Sequence, residues 1–253
     1  MRLFFLGLAA LSSLLAQATS PVQSPPASGR QEMLFDPGWR FHRGGAQGAE
    51  ASFFDDRGWR AVDLPHDWSV EDLPGAGSPF DQDAISQVNG GFTAGGTGWY
   101  RKAFTLPAGE EGRRVILEFD GAYMNATVWL NGSELGAHPY GYTPFWFDIT
   151  GRVSFTGTNW LAVKISNEGE NSRWYSGSGI YRHVWLRFLS PVHVAHEGVR
   201  ITTPQMDAAS AQVRIRMRLA NQGRSAAPIR VVSRVLGSRG EEVARGETEQ
   251  AVA

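Results

Sequence analysis

Thr127-Val128-Trp129-Leu130-Asn131-Gly132 is the stretch that decides the fold class. Four residues suited to a pleated strand run straight into Asn-Gly. That pair is the strongest short-range hairpin signal, because a type I′ turn needs φ > 0 at both central positions. Upstream, Val115, Leu117 and Phe119 face one way while Glu118 and Asp120 face the other. Downstream, Leu161, Val163 and Ile165 alternate with Ala162, Lys164 and Ser166. Few windows sustain a period near 3.6, and no convincing helix emerges. Many short alternating runs between Gly/Pro turns predict an all-β chain, a sandwich or jelly roll.

Composition narrows the partners. Lys+Arg 24 against Asp+Glu 25 leaves a formal charge of -1, without the basic excess that a nucleic-acid partner requires. The chain has no cysteine, so no disulfide is available even if it is exported. Its six histidines (His42, His66, His138, His183, His193 and His196) show no zinc-like spacing with carboxylates. No metal or other cofactor is expected.

The N-terminus reads as a targeting segment. Arg2 supplies a positive start, Leu3 to Leu15 is apolar apart from Ser12 and Ser13, and Ala16-Gln17-Ala18 is a small-x-small cleavage site. Residues 1–18 are therefore expected to be a secretory signal peptide, too short for a membrane span. The Pro/Ser/Gln-rich stretch that follows predicts a flexible linker over 19–32. The mature protein is expected in the periplasm or outside the cell, with no membrane attachment after cleavage. Asn125-Ala126-Thr127 and Asn131-Gly132-Ser133 match the glycosylation sequon but read as turns.

Between Leu73 and Gly98 the strand pattern lapses into seven glycines and two prolines. A loop longer than about 15 residues is usually functional or disordered, so this one is either a rim to a binding surface or a solvated insertion. A boundary is placed at Ser190-Pro191, beyond which no Trp, Tyr or Phe occurs. Val213, Ile215, Met217 and Leu219 then alternate with Arg214, Arg216 and Arg218, the pattern of an antiparallel strand with a solvated arginine face.

One segment joins these readings to a ligand. Residues 171–182 read Asn-Ser-Arg-Trp-Tyr-Ser-Gly-Ser-Gly-Ile-Tyr-Arg. Aromatic faces and arginine forks suit a flat, hydroxyl-rich ligand. Gly177 and Gly179 let the backbone bend where a side chain would clash. Trp174 and Tyr175 serve equally well as core residues.

This segment resembles the one that closes the N-terminal domain of glycoside hydrolase family 2, which includes bacterial β-galactosidases, β-glucuronidases and β-mannosidases. Further pieces follow the family's order: Gly38 to Gly44, Val62 to Trp68 (Val-Asp-Leu-Pro-His-Asp-Trp), Gly98 to Lys102, Gly121 to Gly132, and Pro139 to Thr143. The resemblance implies a galactose-binding-like jelly roll over 33–190 and an immunoglobulin-like sandwich begun at 191–253. Such a sandwich takes about 100 residues, and only about 60 lie beyond Pro191, so it is expected to be incomplete.

The resemblance also implies chemistry. Family members hydrolyse β-glycosides with two glutamates about 5 Å apart in a barrel that follows these domains. No segment of this chain matches either glutamate motif, so no catalytic residue is expected here and the barrel is the missing partner. By resemblance, Pro65-His66-Asp67-Trp68 is the loop that reaches the sugar. Asp67 would accept from its hydroxyls and His66 would lie beside it, with Arg173, Trp174 and Tyr175 completing the substrate-binding set. Asp67 also suits the cap of a turn after Pro65. In the lactose-cleaving branch an acid stands where Arg173 stands here, so the family's sodium site is not carried over. The leading reading is the front end of an exported glycosidase acting on β-galactosides or related β-glycosides. A free-standing carbohydrate-binding module and a truncated inactive product are the alternatives.

Overall fold

The computed structural model describes residues 29–75, 78–169 and 176–253. Among them the regular structure is all β except for one turn of 3-10 helix at Val88–Gly90. In chain order the strands are β1 (Gln31–Leu34), β2 (Trp39–Arg43), β3 (Arg60–Val62), β4 (Gly96–Phe104), β5 (Arg114–Phe119), β6 (Ala126–Leu130) and β7 (Ser133–His138). Then come β8 (Phe145–Asp148), β9 (Asn159–Asn167), β10 (Val184–Leu189), β11 (Val192–Met206), β12 (Ala211–Asn221), β13 (Ala227–Leu236) and β14 (Glu242–Val252).

Two antiparallel sheets face each other. One has the order β1-β10-β5-β8 and the other β3-β2-β4-β9-β6-β7. The non-sequential order brings β9 between β4 and β6, and β10 between β1 and β5. The shared core is made by alternate residues of both sheets. Trp39, Tyr100, Leu130, Leu161 and Ile165 come from the six-stranded sheet, and Leu117, Phe119, Leu186 and Phe188 from the four-stranded one. The expected hairpin is β6–β7, with Asn131 at φ 52 and Gly132 at φ 81. Asn131 also anchors it: its Nδ2 donates to Asn159 Oδ1 at 2.9 Å, and its Oδ1 accepts the Trp160 N–H at 2.9 Å.

Two details depart from the sequence reading. The linker expected to run to residue 32 gives way at Gln31, because Gln31 and Glu32 already pair with Phe188 and Arg187 as part of β1. An extended polar segment can serve as an edge strand when its outward side chains find partners, and Glu32 pairs with both Arg30 and Arg187. Glu118, on the outward face of β5, is buried. Arg187 Nε donates to it at 2.7 Å and His196 Nδ1 stands 3.7 Å away, so β11 helps to cover this face.

The outward face of the six-stranded sheet is covered too. Arg101 alternates outward from Tyr100 yet is fully buried. Its Nε donates to Asp56 at 2.9 Å and its Nη1 donates to the carbonyls of Ala49 and Ala51. The guanidinium lies over the rings of Phe54 and Trp160. One buried fork thus clamps the loop between β2 and β3 onto the sheet. Beyond β10 the chain forms two antiparallel hairpins, β11–β12 and β13–β14. Arg214, Arg216 and Arg218 lie on the solvated side of β12.

Candidate functional site

The segment from Leu64 to Trp68 is laced to the one from Ser178 to Ile180. The His66 N–H donates to the Ile180 carbonyl at 2.9 Å and the Trp68 N–H donates to the Ser178 carbonyl at 3.0 Å. Gly179 is needed at the crossing: its φ is 140, and a Cβ there would strike the His66 carbonyl and the Tyr100 hydroxyl. On its other side Gly179 exchanges two backbone hydrogen bonds with Tyr123, at 2.8 and 2.9 Å.

Asp67 closes this junction. Its Oδ1 accepts from the Ser69 N–H at 2.9 Å, the Ser69 hydroxyl at 2.6 Å and the Ser178 N–H at 2.8 Å. Asp67 therefore caps its own turn and ties two distant segments together. The side chain remains half-buried, beside a shallow cleft of about 380 Å³ lined by Pro65, His66, Asp67, Val70, Glu71 and Tyr181. Tyr181 is held by its hydroxyl, which donates to the Gly141 carbonyl at 2.9 Å.

His66 turns inward, and both ring nitrogens are engaged. Nδ1 lies 2.6 Å from the Tyr100 hydroxyl and Nε2 lies 3.1 Å from Glu71 Oε1. Burial raises the Tyr100 phenol well above its ordinary range, so it stays protonated. Nε2 also lies 3.2 Å from Arg60 Nη2, so the ring stands between the Arg60–Glu71 fork and Tyr100. Burial also lowers the His66 pKa, outweighing the nearby Glu71 carboxylate. Burial alone would raise Glu71, but the Arg60 fork and His66 hold it below its ordinary value. Arg60 reaches both Glu71 oxygens, at 2.7 and 2.6 Å.

The cleft can therefore accept hydrogen bonds from hydroxyl groups, and Glu71 offers a carboxylate held ionised rather than a proton. The structure brings His66 and Asp67 to one cleft. Arg173, Trp174 and Tyr175 lie outside the described residues. Trp68 is a core residue on one side, its ring stacked 5.5 Å from Phe41 and its Nε1 donating to the Gly95 carbonyl at 3.3 Å. Sequence reasoning missed Arg60, Glu71 and Tyr181 as neighbours of the cleft. Tyr181 stood inside the segment that pointed to a ligand, whereas no pattern marks Arg60 or Glu71. Among the described residues no group of three or more His, Cys, Asp or Glu is placed to hold a metal ion.

A sandwich whose loops gather carboxylates, an aromatic hydroxyl and a small open cleft has the make-up of a sugar-binding β-domain. The chain belongs to glycosyl hydrolase family 2: residues 48–190 match the model for that family's sugar binding domain. It is 40% identical over 239 residues to the β-galactosidase BoGH2A of Bacteroides ovatus, covering 92% of this chain and 27% of that one. A glycosyl hydrolase family 2 member from Bacteroides cellulosilyticus superposes with a TM-score of 0.81 at 45% identity, over 88% of this chain and 29% of its own. A β-glucuronidase of Bacteroides uniformis superposes with a TM-score of 0.77 at 29% identity, over 88% of this chain and 26% of its own. The chain spans about a quarter of the length of the curated relatives it matches.

Proposed function

We propose that this chain is the sugar-binding front part of an exported glycosidase that cleaves β-galactosides, with the Asp67 cleft facing the non-reducing sugar. The observation that carries the choice of sugar is the cleft's charge. Its lining presents two carboxylates, Asp67 and Glu71, the second of them paired with Arg60 directly behind it. A uronate would add a negative charge beside Asp67, whereas a galactoside brings only hydroxyl donors and acceptors. The greater identity to a β-galactosidase than to a β-glucuronidase supports the same reading. Export rests on Arg2, the apolar run after it and Ala16-Gln17-Ala18.

The test is kinetic. The full-length enzyme should turn over an aryl β-galactoside with a kcat/KM at least about tenfold above that for the matching β-glucuronide, a preference of about 1.4 kcal/mol. A preference for the glucuronide would overturn the reading. Export is checked by sequencing the N-terminus of the periplasmic or secreted protein, which should begin at Thr19.

A further inference from the structure

A second hollow lies on the other side of Glu71 from the Asp67 cleft. It measures about 780 Å³ and shares only Glu71 with that cleft. Its walls come from β2, the turn into β3 and the long segment after Leu73. We propose that this hollow is a second saccharide-binding site, taking a neutral hexose unit of a longer glycan whose end lies at the Asp67 cleft. The proposal rests on the chain's being a carbohydrate-binding domain but not on which glycoside is cleaved.

Size, walls and charge support it. A volume in the range of about 300–1,000 Å³ suits a small ligand. Trp59 and Phe80 contribute aromatic surface of the kind on which the apolar face of a sugar ring packs, with the buried Trp68 behind them. Phe80 is 57% exposed at the lip. The charged lining balances, with Arg43 and Arg60 against Glu71 and Asp81. Arg60 and Glu71 satisfy each other as a fork. The Arg43 side chain, which makes no hydrogen bond or ion pair among the described residues, is left as a donor, and Asp81, whose Oδ1 accepts the Asp83 N–H at 2.9 Å, offers its other oxygen as an acceptor. A balanced set of donors and acceptors fits a neutral polyol better than an anion.

The lip is also built in advance. Within the segment after Leu73, residues 80–93 are folded on themselves. Phe80 pairs with Thr93 across an antiparallel bridge. The Asp81 N–H donates to the Phe92 carbonyl at 2.9 Å, and the Ser86 hydroxyl donates to the Thr93 carbonyl at 3.0 Å. A wall already folded costs little ordering when a ligand arrives.

The experiment is a glycan array probed with the full chain. It carries neutral oligosaccharides (β-1,4-galactan, mixed-linkage β-glucan and galactomannan fragments) beside uronate-bearing ones (oligogalacturonate and glucuronoxylan fragments). The chain should bind at least one neutral series. Phe80→Ala and Arg43→Ala should each weaken that binding about tenfold, the upper end for one aromatic contact. Both side chains are exposed, so a thermal melt should match that of the parent. If one variant melts early, the other decides. No binding on the array, binding confined to the uronates, or binding that survives both substitutions overturns the proposal. Loss with Asp67→Ala alone also overturns it, by placing the glycan wholly in the other cleft. The kinetic preference of the full-length enzyme is read separately, so either reading can fail while the other stands.

Discussion

At the residue scale, Asp67 does two jobs with one carboxylate. Because Oδ1 accepts from two backbone N–H groups and a hydroxyl, Asp67→Ala should destabilise the chain by about 1.5–3 kcal/mol, the range for hydrogen bonds to a charged group. Asp67→Asn keeps an acceptor without the charge and should lose about half as much. Urea unfolding of the three proteins checks the order. Equal midpoints for parent and alanine variant would show that the junction holds without Asp67. His66 carries a pH dependence of definite sign. Its folded-state pKa lies below the ordinary 6.5, so the folded form binds fewer protons than the unfolded one. Its contribution is complete above pH 6.5 and is lost as pH falls through the lowered value. Glu71, also held below its ordinary 4.5, adds a loss of the same sign in more acid solution. The melting temperature should therefore fall as pH drops below 6.5, and His66→Gln should flatten that fall. Parallel curves would remove His66 as the cause.

At the element scale, the loop between β2 and β3 depends on one buried arginine. Arg101→Ala would leave Asp56 and the Ala49 and Ala51 carbonyls facing a void. Removing one partner of a buried pair costs about 3–5 kcal/mol. Arg101→Lys should recover little, since an ammonium cannot span the carboxylate and the carbonyls as a fork does. Denaturant melts of both variants read this directly, and a loss under about 1 kcal/mol would place the clamp elsewhere. The effect should extend to the second hollow, because Trp59 follows Asp56 closely and the Trp59 N–H donates to the Asp56 carbonyl at 2.9 Å.

At the scale of the whole molecule, the carboxylates of the Asp67 cleft are set to accept hydrogen bonds rather than to transfer protons. Glycoside hydrolysis of this kind needs a carboxylic acid to protonate the leaving group and a second carboxylate about 5–5.5 Å away. In the Asp67 cleft, Glu71 is held ionised by Arg60 and His66, and Asp67 is committed to the Ser178 junction. The chain by itself should therefore give no turnover of an aryl β-galactoside above the buffer blank. Turnover that tracks the amount of protein across purification, and falls with Glu71→Gln, would contradict this.

The sequence by itself determined what depends on near neighbours. Alternation in β5 and β9, and the two positive-φ positions at Asn131-Gly132, marked an all-β chain, because strand period and turn stereochemistry are local. The ordered segments from Gly38 to Arg182 carried the family, and Gly179 was legible as a position with no room for a side chain. Tertiary structure decided what depends on distant segments meeting. Alternation alone would leave Arg101 and Glu118 on outward faces, and it cannot tell that a loop and a later strand fold over them. Nothing near Asp67 in sequence announces Ser178, yet that backbone N–H fixes the carboxylate. Arg60 and Glu71 carry no motif, but the junction brings them against His66. They show only once the chain has folded, because burial and the arrival of a partner charge are properties of the packed molecule.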